Sequence, residues 1–306
     1  VEPRCARASQ EEERLRFACY AWGGVRHVGR LSDDGSEVTP LALGERARRR
    51  GVLALVEQLA EGGSLPPASG PKLPLGAVRL EAPFPLPRRN LFCVGKNYPE
   101  HAKEFAQSGF DSSRSAGSDI PEHPIIFSKV PECVIAPGAA IRIPRGVSAA
   151  IDYEAELAVI IGRGGKGIRA ARAMEHVWGY TIVNDVTARD WQGRHKQWLM
   201  GKSFDTFCPM GPWAVDANGL NGQRTTVRCW VNGELRQEAG TGDLIFDIPT
   251  LIETISAGIT LYPGDIVCTG TPAGVGIGFT PPKYLQPGDR VRVEIDGIGV
   301  LENPVE

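Results

Sequence analysis

Hydrophobic and polar positions change rhythm along the chain, and the changes mark its elements. Residues 15–41 alternate and turn at Gly23-Gly24 and at Asp33-Asp34-Gly35, as the strands of a meander do. Val52, Leu53, Leu55, Val56 and Leu59 then recur at helical spacing, and Gly62-Gly63 ends that helix. Seven prolines at 66, 67, 71, 74, 83, 85 and 87 make residues 65–88 a semi-rigid connector. Beyond residue 89, strand-like runs fall near 90–95, 124–128, 151–162, 177–184, 224–231, 264–269 and 289–303, with few long helical patterns. The last run breaks at Asp296-Gly297, a two-residue hairpin signal. The pattern predicts an α+β protein that is mainly β, with a small N-terminal α+β unit and linker over 1–80 and a larger unit over 81–306.

One of those runs carries chemistry. In Ile151-Asp-Tyr-Glu-Ala-Glu-Leu-Ala-Val-Ile-Ile-Gly162, Glu154 and Glu156 are two apart and share a face of the predicted strand. Asp185 follows directly on the apolar run 177–184. Carboxylates brought together out of water must be protonated, paired or bound to a cation. An all-oxygen set suits a hard ion, Mg²⁺ first, then Mn²⁺ or Ca²⁺, and not zinc. The competing reading places Asp152, Glu154 and Glu156 on the solvated face of a half-buried strand.

Composition narrows the partners. With 34 basic against 36 acidic residues and no basic block interleaved with aromatics, nothing points to nucleic acid, and the expected partner is a small molecule. Seven cysteines without a Cys-x-x-Cys pair indicate neither a disulfide framework nor a zinc ribbon, and a reducing, intracellular setting is expected. No apolar stretch reaches the roughly 18–20 residues that span a bilayer, so no membrane partner is expected. The chain starts at Val1, which reads as a trimmed start, so the cytoplasm and the mitochondrial matrix both stay open.

Further candidates flank the carboxylates. Pro99 suits a first helical turn, which would put His101 and Glu104 on one face, a carboxylate orienting an imidazole as a general base. A solvated His beside a Glu is the ordinary alternative. Arg189 and Lys202 add cations that could hold an anionic substrate. The run Gly270-Thr-Pro-Ala-Gly-Val-Gly-Ile-Gly278 could cradle a phosphate, but it lacks a Gly-Lys-Ser/Thr ending and Pro281-Pro282 disfavours a following helix. Residues 107–123 form a polar stretch long enough to be a lid or an insertion.

Five blocks taken together resemble the fumarylacetoacetate hydrolase superfamily: Gly-x-Asn-Tyr-x-x-His-x-x-Glu (95–104), Asp-Tyr-Glu-Ala-Glu-Leu (152–157), Asn-Asp-Val-Thr-Ala-Arg-Asp-Trp-Gln (184–192), Gly-Lys-Ser-Phe-Asp-Thr-Phe-Cys-Pro (201–209) and Tyr-Pro-Gly-Asp-Ile-Val-x-Thr-Gly-Thr-Pro-Ala-Gly-Val-Gly (262–276). The likeness runs from about residue 80 to the end, and the block around Lys202 is most similar to the branch that includes oxaloacetate tautomerases and acylpyruvases. It implies a mixed β-roll, commonly homodimeric. It places Mg²⁺ or Mn²⁺ on Glu154, Glu156 and Asp185, and catalytic roles on His101, Glu104 and Lys202. Substrate contacts fall on Arg189, Gln192 and Thr271, with Asp152 as support and Lys129 as a cation at the edge of the site.

The chemistry implied by that resemblance is metal-dependent action on a small 2-oxo acid through a stabilised enolate. Oxaloacetate keto–enol tautomerisation is the expected reaction. C–C hydrolysis of acylpyruvates or of fumarylacetoacetate-like diketo acids, and decarboxylation of a 2-oxo acid, share the same intermediate. A metal-binding protein without turnover is the reading from a different class.

Overall fold

A computed structural model describes residues 14–107 and 119–306. The N-terminal strands are β1 (Arg16–Trp22), β2 (Val25–Leu31) and β3 (Glu37–Pro40), followed by helices α1 (Glu45–Arg49) and α2 (Val52–Ala60). Next come β4 (Leu91–Gly95), α3 (Pro99–Gln107), β5 (Ile125–Lys129), β6 (Ala155–Ile161) and β7 (Val177–Asn184). Helices α4 (Arg189–His195) and α5 (Leu199–Lys202) precede β8 (Cys208–Asp216), β9 (Thr226–Val231) and β10 (Glu234–Gly240). Helix α6 (Ile248–Ser256), β11 (Ile266–Cys268), β12 (Arg290–Ile295) and β13 (Gly299–Pro304) complete the series.

The larger sheet runs β3-β2-β1-β8-β7-β6-β11-β4-β5, with β11 and β4 parallel, and the smaller is β10-β9-β12-β13. The mainly β class expected from the sequence is what the chain adopts. Its N-terminal strands are not a separate layer: β1 pairs with β8 in the register Arg16↔Val215 and Phe17↔Ala214. Helix α2 packs into a core shared by Phe17, Val52 and Leu55 with Ala158, Ile160, Cys208 and Ile266. Gly264, at φ 83°, lies where a Cβ would overlap the Leu53 side chain, so the Tyr-Pro-Gly-Asp turn closes directly on α2.

Strand β6 settles the reading of its own alternation. It lies between β7 and β11 and is buried along its whole length. Leu157, Val159 and Ile161 enter one core, while Ala158 and Ile160 enter the other. A solvated carboxylate face on this strand is therefore excluded. The strand is also shorter than the sequence implied: Ile151–Asp152 pairs separately with Thr187–Ala188, and Glu154 sits in the break before β6. Two further elements differ from the sequence reading. Strand β8 contains Pro209, Gly211 and Pro212, which read as breakers. Helix α6 is capped by Asp247, whose carboxylate accepts from Thr250 N at 2.9 Å, and buries Ile248, Leu251, Ile252 and Ile255.

Candidate metal centre and active site

The break at residues 153–154 is held by its neighbours. Asn184 Oδ1 accepts from Glu154 N at 3.0 Å, and Asp185 N donates to Glu154 O at 2.8 Å, so the ends of β6 and β7 are laced together where the acids converge. Glu154, Glu156 and Asp185 are all buried and offer oxygens within 4.8 Å of one another.

Charge in this cluster is uneven. Lys202 Nζ donates at 2.8 Å to both Glu154 Oε2 and Asp185 Oδ2. Arg189 Nη1 lies 2.7 Å from Glu154 Oε1, and Arg189 Nε donates to Asp152 Oδ2 at 2.8 Å. Lys129 Nζ stands 2.7 Å from Asp185 Oδ1 and also donates to the main-chain oxygens of Val186 and Lys202. Lys129 is fully buried, so it lies beneath the acids and not at the edge of the site. Four buried carboxylates thus meet three buried cations, and among the described residues no ion pair reaches Glu156. Its Oε2 accepts from Gly270 N at 2.9 Å, while Oε1 is buried without a partner.

Protonation follows that imbalance. Burial alone would raise the Glu154 carboxyl, but Lys202 and then Arg189 overcome it and hold the group at about 2. Burial, then the charges of Asp185 and Glu154, push Glu156 well above the ordinary carboxylate range. A hard divalent ion would relieve this conflict, and the orphaned Oε1 together with the all-oxygen donor set fits one.

Glu154 stands in the wall of a small cavity, whose lining also includes Arg189, Gln192, Lys202, His101 and Thr271. Arg189 is nine-tenths or more buried, yet among the described residues its Nη2 has no hydrogen-bond partner. Gln192 Oε1 accepts from Arg189 Nη1 at 3.1 Å and so fixes the guanidinium. The Thr271 hydroxyl donates to Ala155 O at 3.0 Å and accepts from Gln237 Nε2 at 2.7 Å. Gln237, absent from the sequence reading, also accepts from Ala155 N and donates to Pro272 O, tying the start of β6 to the loop after β11. Phe105, Phe127 and Trp198 give the cavity an aromatic side, with Trp198 edge-on to both phenyl rings.

His101 and Glu104 lie on α3 with Nδ1 and Oε2 3.1 Å apart, and His101 is buried against the cavity. An ionised Glu104 accepts a hydrogen bond from Nδ1–H, the tautomer that leaves Nε2 as the ring's acceptor. The proposed lid at 107–123 falls largely on residues 108–118, outside the described residues.

The glycine-rich run cradles carboxylates of the protein itself. Gly274 N donates to Glu104 Oε1 at 3.0 Å, and Gly276 N and Ile277 N donate to the two oxygens of Asp152 at 2.6 and 3.0 Å. A Cβ on Gly276 would come within 2.7 Å of Asp152 Oδ1, and one on Gly278 would overlap the Glu104 carboxylate. Gly278→Ala is therefore expected to displace Glu104 and lower turnover about 10-fold or more, toward the level of Glu104→Gln. Steady-state kinetics on the two variants checks this, and unchanged kcat in Gly278→Ala would contradict it.

Residues 90–306 match the family model described as fumarylacetoacetate (FAA) hydrolase C-terminal. The oxaloacetate tautomerase YisK of Bacillus subtilis (strain 168) is 50% identical over 232 residues, which cover 76% of this chain and 74% of that protein. The human mitochondrial oxaloacetate tautomerase FAHD2A is 42% identical over 238 residues, covering 77% and 72%. Among solved structures, the fumarylacetoacetate hydrolase of psychrophilic Exiguobacterium antarcticum superposes with a TM-score of 0.80 at 36% identity, covering 95% of this chain and 99% of that one. The five sequence blocks, the buried acids at the ends of β6 and β7, and these likenesses agree: the chain belongs to the fumarylacetoacetate hydrolase family.

Proposed function

We propose that this protein is a metal-dependent oxaloacetate keto–enol tautomerase. The observation that carries the reading is the cluster of three buried carboxylates, one of them unpaired, whose member Glu154 lines a small cavity together with Arg189 and Lys202. Relatives at 42% and 50% identity that bear the name oxaloacetate tautomerase give the substrate class.

Glu154, Glu156 and Asp185 would hold the ion, with Mg²⁺ preferred and Mn²⁺ the alternative. A divalent ion there polarises the 2-oxo group of a pyruvoyl-type acid and makes its C3 hydrogens more acidic. Adding two positive charges to the four acids and three cations also leaves the site net positive, ready for an anion. Arg189, through its free Nη2, binds a substrate carboxylate, and Gln192 keeps it oriented. Lys202 neutralises charge that develops on the substrate's oxygen. His101, steadied by Glu104, carries the proton to and from C3. Phe105, Phe127 and Trp198 keep bulk water from the reacting carbons.

A second reading, C–C hydrolysis of an acylpyruvate, is favoured by the same dyad, because a buried imidazole with a free Nε2 can also activate a water. Incubation with Mg²⁺ and either oxaloacetate or acetylpyruvate separates the two. Loss of enol absorbance from oxaloacetate without release of pyruvate is expected. Stoichiometric pyruvate and acetate from acetylpyruvate, with no effect on the oxaloacetate enol, would replace the first reading by the second. We further propose residues 81–306 as the catalytic unit and a homodimer as the working assembly, which light scattering on the purified protein tests. Among the described residues no helix is long and apolar enough to cross a membrane.

A further inference from the structure

A carboxylate can give an ion one oxygen or both, and what its second oxygen already touches decides between them. Each acid of the cluster has one oxygen held by a donor of its own. Lys129 Nζ lies 2.7 Å from Asp185 Oδ1, Arg189 Nη1 lies 2.7 Å from Glu154 Oε1, and Gly270 N donates to Glu156 Oε2 at 2.9 Å. Of the remaining oxygens, Glu154 Oε2 and Asp185 Oδ2 turn to one point, each 2.8 Å from Lys202 Nζ. Glu156 Oε1 is buried and, among the described residues, has no hydrogen-bond partner.

The three outer donors come from separate elements, and each is fixed from behind. Lys129, the last residue of β5, also donates to the main-chain oxygens of Val186 and Lys202, so its three hydrogens meet three acceptors. Arg189, the first residue of α4, is held by Asp152 and Gln192. Gly270 follows β11 at φ 101°, a backbone that side chains rarely adopt, and a Cβ there would come within 2.8 Å of Asn97 Cβ. Asn97 Nδ2 in turn donates to Thr269 O at 2.8 Å, which steadies the turn that aims the Gly270 N–H. Bidentate coordination requires a carboxylate to rotate both oxygens onto the ion, and donors fixed in this way oppose that rotation.

We propose that Lys129, Arg189 and the Gly270 N–H set the metal selectivity of this site, restricting each acid to one oxygen and so favouring Mg²⁺ and Mn²⁺ over Ca²⁺. Mg²⁺ is small and works with single carboxylate oxygens and waters, whereas Ca²⁺ takes more oxygens and gathers them readily from bidentate carboxylates. The proposal rests on the metal-dependent reading of the cluster, and it concerns affinity, not turnover.

Calorimetric titration of the metal-free protein with Mg²⁺, Mn²⁺ and Ca²⁺ tests it, and infrared difference spectra of the carboxylate stretches report one-oxygen or two-oxygen binding. The native protein is expected to bind Mg²⁺ and Mn²⁺ about 10-fold or more tightly than Ca²⁺, the scale on which groups behind metal ligands act. Lys129→Met frees Asp185 Oδ1 and should narrow that ratio about 10-fold, with a bidentate signature for Ca²⁺. Loss of a positive charge strengthens both ions alike, since both carry two charges, so the ratio reads coordination alone. Lys202→Met is the control: it takes the same charge from the same acids but leaves the outer oxygens held, so the affinities should move together and the ratio stay as in the native protein. Arg189→Met, which frees Glu154 Oε1, should narrow the ratio as Lys129→Met does, and it carries the test if Lys129→Met does not fold. A native protein that binds Ca²⁺ as tightly as Mg²⁺, or binds neither, overturns the proposal, and so does a ratio that is unchanged in the folded outer variants or narrowed equally by Lys202→Met. Selectivity in a protein that does not consume oxaloacetate enol removes the tautomerase reading and leaves this assignment standing, and enol consumption without selectivity does the reverse.

Discussion

Glu156→Gln is expected to lower metal-dependent turnover by about 10³-fold or more and, in the absence of metal, to make the protein more stable near pH 8. The two effects have one cause. Glu156 is the acid that the surrounding cations leave unpaired, and burial with two neighbouring carboxylates raises its pKa well above the unfolded value of 4.5. A raised folded value means that the native state holds the proton more tightly. The stability this contributes is complete below about 4.5 and is lost as pH rises through the folded value. Gln imitates the protonated form at every pH and so removes that loss. Glu154 has the opposite sign: held at about 2, it contributes stability above its unfolded value of 4.5, and the contribution disappears as pH falls toward 2. Scanning calorimetry at pH 5 and pH 8, with and without Mg²⁺, reads all of this. The native protein should gain midpoint temperature with metal, more at pH 8 than at pH 5, because the ion binds the ionised carboxylate. The variant should show almost no gain. A metal-free variant that melts below the native protein at pH 8, or one that keeps the native response to Mg²⁺, would remove Glu156 from the site.

Much of this site could be read from the sequence because its parts are local. Glu154, Glu156 and Asp185 sit at the ends of apolar runs, and β6 and β7 are adjacent antiparallel strands, so a pattern of two strands with acids at neighbouring ends already implied proximity. His101 and Glu104 lie within one helical turn, a spacing that needs no tertiary information. The compensating charges were harder to place. Lys129 belongs to β5, at the far edge of the sheet from β7, and only the folded chain brings its ammonium to Asp185. Gln237 comes from the smaller sheet, and nothing in its neighbourhood in sequence marks it. Gly274, Gly276 and Gly278 were visible as an alternating series, but their purpose was not: the anions they admit are Glu104 and Asp152, more than 100 residues earlier in the chain. Strand β8 was hidden by its own prolines, of which Pro209 lies at its start and Pro212 where its register with β7 shifts. Missing it hid the strand on which β1 docks.

Lys202→Met removes a charge of the opposite sign from the same cluster and should have the opposite effect on stability. Its ammonium is 2% exposed, bonded to Glu154 and Asp185, and lies 4.9 Å from the centre of the Phe127 ring. Taking one partner from a buried ion pair leaves the other uncompensated, at a cost of roughly 3–5 kcal/mol, so the metal-free variant should melt well below the native protein. Metal should recover much of that loss, because the ion supplies the missing charge to the same two carboxylates, and its affinity should be retained or increased. Activity should not return with the metal. If Lys202 neutralises charge that appears only as the enolate forms, kcat falls by about 10²–10³-fold while KM moves little. Arg189→Met, which deletes the free Nη2 along with the contact to Glu154, should instead raise KM at least as much as it lowers kcat. The double variant Glu156→Gln/Lys202→Met separates stability from chemistry. Each change removes one charge, so the pair restores the balance of four acids and three cations to three and two, and should melt above Lys202→Met alone without regaining turnover. Wild-type kcat in Lys202→Met, with only KM weakened, would leave the lysine a binding group, and strict additivity of the two melting shifts would mean that Glu156 and Lys202 do not share one electrostatic site.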